Sequence, residues 1–204
     1  MASETLDKGN RTGEIGRAKR LKERTHATHD RLDKTIMQRQ PFASRERYGL
    51  FVTVQHAFHR DIDALYGDEA LADLVPDLAG RRRLGRIEQD LADLGIAAPA
   101  ADAPAVFRPD APAELPAALG WLYVAEGSNL GAAFLLKEAA KLGLSETFGA
   151  RHLAGAPDGR GLHWRTFVAA LDAVRLTDAD EARVVAGAEA AFRRVHGLVT
   201  DMFS

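Results

Sequence analysis

The chain is expected to fold as an all-α protein, on three observations. Apolar residues recur at steps of three and four almost throughout its 204 residues; the alternating β-branched runs that mark strands are missing; and helix-starting and helix-stopping residues fall between the periodic segments. With 46% apolar residues the chain can bury a full core, and its length suits one domain over 1–204, with 1–14 expected to be a flexible N-terminal segment.

The first helix is expected from about Ile15 to Met37, where Leu21, Thr25, Thr28/His29, Leu32 and Ile36 form one stripe, so that His29 faces inward. Pro41 ends it, because proline cannot extend a helix and restricts the residue before it. Ser44 reads as the N-cap of a second helix whose Tyr48, Phe51, Val54/Gln55, Phe58, Ile62 and Leu65 make an apolar stripe closed by Gly67. A short helix around Glu69 to Leu74 and another from Pro76 to Leu94 follow. The Ala-, Pro- and Asp-rich stretch 97–116 reads as a long surface connection.

A helix from about Leu115 to Leu142 comes next, and residues 143–161 are broken by Gly and Pro. The segment Leu162 to Val174 carries Trp164, Phe167, Val168 and Leu171 on one side. Thr177 with Asp180 approximates a capping box for a last helix whose Val184, Ala188, Phe192, Val195 and Val199 face the core.

Composition removes several kinds of function. A formal net charge of −2 provides no basic field for nucleic acid. The absence of cysteine excludes disulfides, thiolate ligation of heme, iron–sulfur clusters and thiol catalysis. Neither an apolar signal region near the N-terminus nor an uninterrupted apolar run of about 18 residues is present, so a cytoplasmic protein without a membrane span is expected.

The helix around 115–142 is unusual in holding Gly120, Gly127 and Gly131 in its interior, each costing roughly 1 kcal/mol relative to alanine. Gly127 and Gly131 stack on one face and strip it of side chains, with Ser128 beside them. Such a face admits either the close approach of another helix or contact between backbone and a flat ligand. A serine nucleophile is disfavoured, because the order is Gly-Ser-x-x-Gly and no strand precedes it. An inward His29 has two readings as well: a core imidazole bonded to a carbonyl, or a ligand. Lys22, seven residues earlier and two turns away on the same face, favours the ligand, since an imidazole with an ammonium about 10 Å along the helix suits heme and its propionate.

The run Leu21-Lys22-Glu23-Arg24-Thr25-His26-Ala27-Thr28-His29-Asp30 resembles the proximal helix of heme oxygenases. Gly120-Trp121-Leu122-Tyr123-Val124-Ala125-Glu126-Gly127-Ser128-x-Leu130-Gly131-Ala132-Ala133-Phe134 is similar to the distal helix of that family's bacterial branch. Pro41-Phe42-Ala43-Ser44-Arg45, Phe148-Gly149-Ala150-Arg151-His152-Leu153 and Trp164-x-x-Phe167-Val168 extend the likeness over nearly the whole chain. The resemblance implies a single-domain multi-helical bundle with heme b between the first, proximal helix and the glycine-containing distal helix. Heme would be both substrate and cofactor, opened with O2 to biliverdin, Fe2+ and CO.

By the same resemblance, His29 rather than His26 matches the iron ligand, Lys22 a propionate contact, and Tyr123 a hydroxyl at the heme edge or a propionate. Gly127, Ser128 and Gly131 match the distal backbone over the heme face, and Gln55, His152 and Trp164 match polar residues around a distal water network. Glu126 stands roughly where animal relatives have a distal aspartate, but the spacing differs and that role is not carried over. Met37 and Glu138 offer no basic anchor for a rotated heme, which favours opening at the α-meso carbon. With no dinucleotide or flavin fingerprint, electrons would come from an external donor: a ferredoxin, a flavodoxin or an NAD(P)H-dependent reductase. A bilin-binding acceptor of the product is a further candidate partner.

Two other readings remain open. A heme carrier on the same fold would keep His29 and Lys22 without needing glycines around an O2 site. Glu23-x-x-His26 is one half-unit of a di-iron bundle, which needs two such units and two further glutamates. Of the remaining histidines, His56 and His59 follow the buried stripe of the second helix at its edge, His163 lies near a loop end and His196 in the last helix, and most are expected to be surface or satisfied groups. Arg81-Arg82-Arg83 is expected to be a solvated helix face or a docking patch for an acidic electron donor.

Overall fold

The computed structural model describes residues 15–100 and 103–204, so the expected flexible segment 1–14 lies outside the described residues. Seven α-helices follow one another without a strand among these residues: α1 (Arg17–Gln38), α2 (Arg45–Ile62), α3 (Glu69–Ala72), α4 (Leu84–Asp93), α5 (Leu115–Ala140), α6 (Arg160–Ala173) and α7 (Asp178–Met202).

Local signals account for most boundaries. Ser44 Oγ accepts from the Arg47 N–H at 3.3 Å and starts α2, a cap worth about 1 kcal/mol. Asp68 caps α3 through the Leu71 N–H at 3.0 Å, and Thr177 with Asp180 forms a complete capping box on α7. Pro116 sits in the first turn of α5, where its missing N–H would have had no partner. The α2 stripe ends in a 3-10 turn, Asp63–Gly67, so Leu65 reaches the core from a tighter helix than expected.

One expected helix is split. Where a helix from Pro76 to Leu94 was expected, a 3-10 turn at Ala79–Arg81 precedes α4, and Arg83 breaks the run with φ −120°. Expecting the three arginines to be a solvated helix face also proves wrong: Arg81 and Arg83 are buried, and only Arg82 is exposed, paired with Asp63 at 2.6 Å. Their partners lie far away in sequence. Arg81 Nη1 donates to Glu126 of α5 at 2.7 Å, and Arg83 Nη1 donates to the His152 carbonyl at 2.5 Å. A regular helix cannot aim neighbouring side chains inward on both sides, so the backbone breaks there.

The core has two parts. The larger gathers Leu21 and Leu32 of α1, Val54, Phe58 and Ile62 of α2, Leu119, Leu122 and Ala125 of α5, Phe167 and Leu171 of α6, and the whole α7 stripe from Val184 to Val199. Each large side chain buried there contributes about 1.5–3 kcal/mol. The smaller joins Tyr48, Phe51 and Val52 of α2 to Ile87 and Leu91 of α4, Ala132 and Ala139 of α5, and Leu144, Ala150 and Leu153 of the following connection.

Helix α7 is the platform on which the site is built, because α1 and α5 both lie along it while making little contact with each other. Gly120 and Gly187 allow α5 and α7 to touch backbone to backbone: a Cβ on Gly120 would stand 2.5 Å from Ala188 N, and one on Gly187 2.6 Å from Ala117 O. At the other edge, buried Arg17 donates to the Leu171 and Val174 carbonyls of α6 and to Glu181 of α7, tying down the start of α1.

Candidate functional site

The three interior glycines of α5 have different work. Gly120 serves helix packing, whereas the close helix approach weighed for Gly127 and Gly131 is not found at those two positions. Gly131 is exposed, with nothing within 4 Å of a Cβ built on it, and Gly127 would meet only the Trp164 ring, at 3.8 Å. Among the described residues, only the Trp164 ring approaches that side of α5, at Gly127, and nothing covers it at Gly131. Tyr123, Gly127, Leu130, Gly131 and Phe134 follow one another along it at helical spacing, half-buried at Tyr123 and Gly127 and exposed beyond. The result is an apolar strip with its side chains pared away at two successive turns.

Two aromatic rings close one end of the strip. Trp164 of α6 lies 5.8 Å from Tyr123, ring centre to ring centre, and also packs on Phe167. Burial raises the Tyr123 hydroxyl above its ordinary pKa, so it stays a protonated donor. Ser128 turns back to donate to the Ala125 carbonyl at 2.7 Å, which fixes its hydroxyl and leaves oxygen lone pairs free to accept.

On α1 the expectation that His29 faces inward needs correction. Leu21, Thr25 and Leu32 are buried, but the His29 side chain is 54% exposed. At 100° per residue His29 falls at the margin of the buried stripe, within about 20° of Lys22, and the two share the exposed side of the helix. Its ring stands edge-on to Phe192 of α7 at 5.8 Å, and Nδ1 lies 3.4 Å from Asp33. His26, also exposed, pairs with Asp30 at 3.3 Å, and the same carboxylate lies 3.8 Å from His29 Nδ1. Among the described residues no three His, Asp or Glu side chains converge as a metal site, contrary to what a di-iron bundle requires.

A second group of polar residues is buried beside and behind α5. His152 sits in a 3-10 turn, Arg151–Leu153, packed near Ala132 on the side of α5 away from the strip. Its Nδ1 lies 2.7 Å from Asp90 of α4. Burial lowers the His152 pKa, more than Asp90 raises it, so the ring is neutral. His152 is therefore not on the wall formed by Tyr123, Gly127 and Trp164. Gln55, half-buried, stands one turn from Phe51, whose ring is 6.3 Å from His152, and one turn from His59.

His59 and His56, expected to be surface or satisfied groups, are buried, and His59 Nδ1 has no hydrogen-bond partner. Burial, with Arg83 and His152 nearby, pushes the His59 pKa down to about 3. Glu126 points away from the strip into this region, bonded to Arg81 and 3.6 Å from His163, and burial raises its pKa. Sequence reasoning passed over Asp90 and gave Arg81 and Arg83 to a solvated face or docking patch rather than to the interior. One signal was available: Asp90 lies three residues after Ile87 and one before Leu91, on the apolar face of α4, where an unpaired carboxylate would be costly.

Comparison with known proteins gives one consistent result. Residues 16–201 match the family model described as heme oxygenase. The chain is 45% identical over 188 residues to the protein named heme oxygenase PigA from Pseudomonas aeruginosa, covering 92% of this chain and 93% of that one. The NO- and CO-bound heme oxygenase from Neisseria meningitidis superposes with a TM-score of 0.86 at 44% identity, over 93% of each chain. Heme oxygenase from Leptospira interrogans, 15% identical, superposes with a TM-score of 0.72 over 92% of this chain and all of that one, a likeness of fold alone.

Proposed function

Because the chain belongs to the heme oxygenase family, we propose that its heme lies between the His29 side of α1 and the pared strip of α5, above Phe192 of α7. The activity is the opening of heme to biliverdin. The open space at Gly131 carries this placement, because a strip that side chains would otherwise fill accepts a flat macrocycle against its backbone.

Each side chain then has a physical task. His29 would hold the heme iron through Nε2, with the Asp33 carboxylate 3.4 Å from Nδ1 favouring the proton on that other nitrogen. Lys22, on the same side of α1, pairs with a propionate, and the Tyr123 hydroxyl donates to the heme edge or the other propionate. Bound heme supplies the iron at which O2 is taken up and reduced, and the ring carbon that is attacked. Gly127 and Gly131 would let backbone approach the macrocycle and narrow the space left above it for O2. The Trp164 ring closes the end of the strip and keeps bulk water out. Protons would arrive through ordered water rather than from an acidic side chain, since Glu126 is turned away and bound to Arg81; Gln55 and His152, behind α5, are the polar groups that would hold the inner end of that water.

Electrons come from an external ferredoxin, flavodoxin or NAD(P)H-dependent reductase. No helix among the described residues is long and apolar enough to cross a membrane, and we place the protein in the cytoplasm, with a bilin-binding protein as the candidate acceptor of product. Met37 is exposed and Glu138 is paired with Lys141 at 2.7 Å, so neither holds a rotated heme and the α-meso carbon is the expected site of opening.

The test is absorbance of the protein with one equivalent of hemin, followed by a reductant under air with catalase present. A histidine-type Soret band that bleaches into a biliverdin spectrum is expected, and His29→Ala abolishes both. Binding without bleaching would point to a carrier, and an unaltered band in His29→Ala would remove the ligand assignment.

A further inference from the structure

The Asp90 carboxylate is fully buried, and four donors from the Arg151–Leu153 turn surround it. Oδ2 accepts the His152 backbone N–H at 2.9 Å and faces His152 Nδ1 at 2.7 Å. Oδ1 accepts the Arg151 backbone N–H at 2.8 Å and faces Arg151 Nη1 at 3.4 Å. Burial alone would raise the Asp90 pKa, but the hydrogen bonds from His152 and Arg151 outweigh it and hold the group ionised.

An ionised carboxylate can only accept. The proton of the neutral His152 ring therefore resides on Nδ1, and Nε2 carries a lone pair. That Nε2 is buried and has no protein partner, as is also true of His59 Nδ1 and Arg83 Nε. Buried polar atoms of this kind are satisfied by ordered water. Arg83 Nε is always a donor and His152 Nε2 here an acceptor, so any water held between such groups would be oriented, with His152 Nε2 at the accepting end.

We propose that Asp90 is a positioning residue for the reaction: it locks His152 as the Nδ1–H tautomer, so that Nε2 is a fixed hydrogen-bond acceptor that orients the water serving the heme site. The proposal rests on the reading of His152 as part of the proton supply. A carboxylate that merely held the turn in place would need only the backbone N–H groups of Arg151 and His152, and the imidazole contact at 2.7 Å goes beyond that.

The experiment is long-range 1H–15N correlation of the histidine rings in full-length protein labelled on histidine, alongside the rate of hemin bleaching and the hemin Kd. Wild type is expected to show His152 with Nδ1 protonated and Nε2 bare. In Asp90→Asn the ring loses that single tautomer, and the bleaching rate falls about 10–100-fold at unchanged hemin Kd. An Nε2–H ring in wild type, an unchanged ring in the variant, or a changed ring with full turnover would each overturn the proposal.

If Asp90→Asn does not fold, His152→Asn keeps an N–H donor against Asp90 while leaving no acceptor at the position of Nε2. It should fold, bind hemin and show the same loss, and full turnover would overturn the proposal. Failure of the heme reading itself is distinguishable: wild type would then leave hemin unbleached, which removes the claim about turnover, while the ring spectrum still decides what Asp90 does to His152.

Discussion

The exposed strip of α5 and the polar cluster buried beside it are separated by a single residue step, Gly127 against Glu126, yet they are built on opposite physical terms. Along the strip, side chains are withheld and the surface is open. Within the cluster, Arg81, Arg83, Asp90, Glu126, His59 and His152 are buried, several with an atom still lacking a protein partner. The first region has the open, pared shape that the proposed heme would need and contributes little to stability. The second holds α4, α5, α6 and the His152 turn in register through desolvated charges, which makes it sensitive to any loss of a partner.

Breaking the buried region should produce the largest change. Arg81→Met leaves Glu126 without its 2.7 Å partner and is expected to lower unfolding free energy by about 3–5 kcal/mol, read from urea denaturation. Arg81→Met combined with Glu126→Leu should recover most of that loss. An equal loss in the double variant would mean that the charge pair is not what the region depends on.

Acid titration tests the same region without mutation. An unfolded histidine takes its proton near pH 6.5, whereas His59 in the fold resists protonation down to about pH 3. Between those limits the unfolded chain binds more protons, so stability is full above pH 6.5 and falls as pH decreases, by up to roughly 5 kcal/mol from this group. His56, His152 and His163, whose pKa values are also lowered, act in the same direction; Glu126, raised by burial, acts in the opposite one. A His59→Phe variant that retained the full acid dependence would refute the assignment.

The glycines sharpen the contrast along one helix. Gly120→Ala forces a methyl against the α7 backbone and is expected to cost about 1–3 kcal/mol or more. Gly131→Ala meets nothing and should instead stabilise the protein by up to about 1 kcal/mol through helix propensity, while slowing hemin bleaching. Thermal unfolding and turnover measured on both variants separate the two roles. Gly131→Ala with unchanged turnover would take that glycine out of the heme site.

Features legible in the residues were those decided within a few positions along the chain. The caps at Ser44 and Thr177, the stop at Pro41, and the stripes of α2 and α7 follow from short-range hydrogen bonding and helical periodicity. The glycine strip and the Lys22–His29 spacing were legible for the same reason. The direction of His29 was not, because an imidazole at the margin of a stripe is turned in or out by how α1 rolls on α7, and Phe192 decides that from 163 positions away in the chain.

By itself, then, the sequence determined an all-helical bundle, its caps and stripes, and through its motifs the kinship with heme oxygenases. Only the tertiary structure decided that Arg81 and Arg83 leave solvent, that α4 starts late, that Gly120 belongs to packing while Gly127 and Gly131 belong to the strip, and that Asp90 holds His152. The physical reason is range. Hydrogen-bonded turns and apolar periodicity act over three or four residues, whereas burying a charge is tolerable only once its partner has been brought up from another part of the chain.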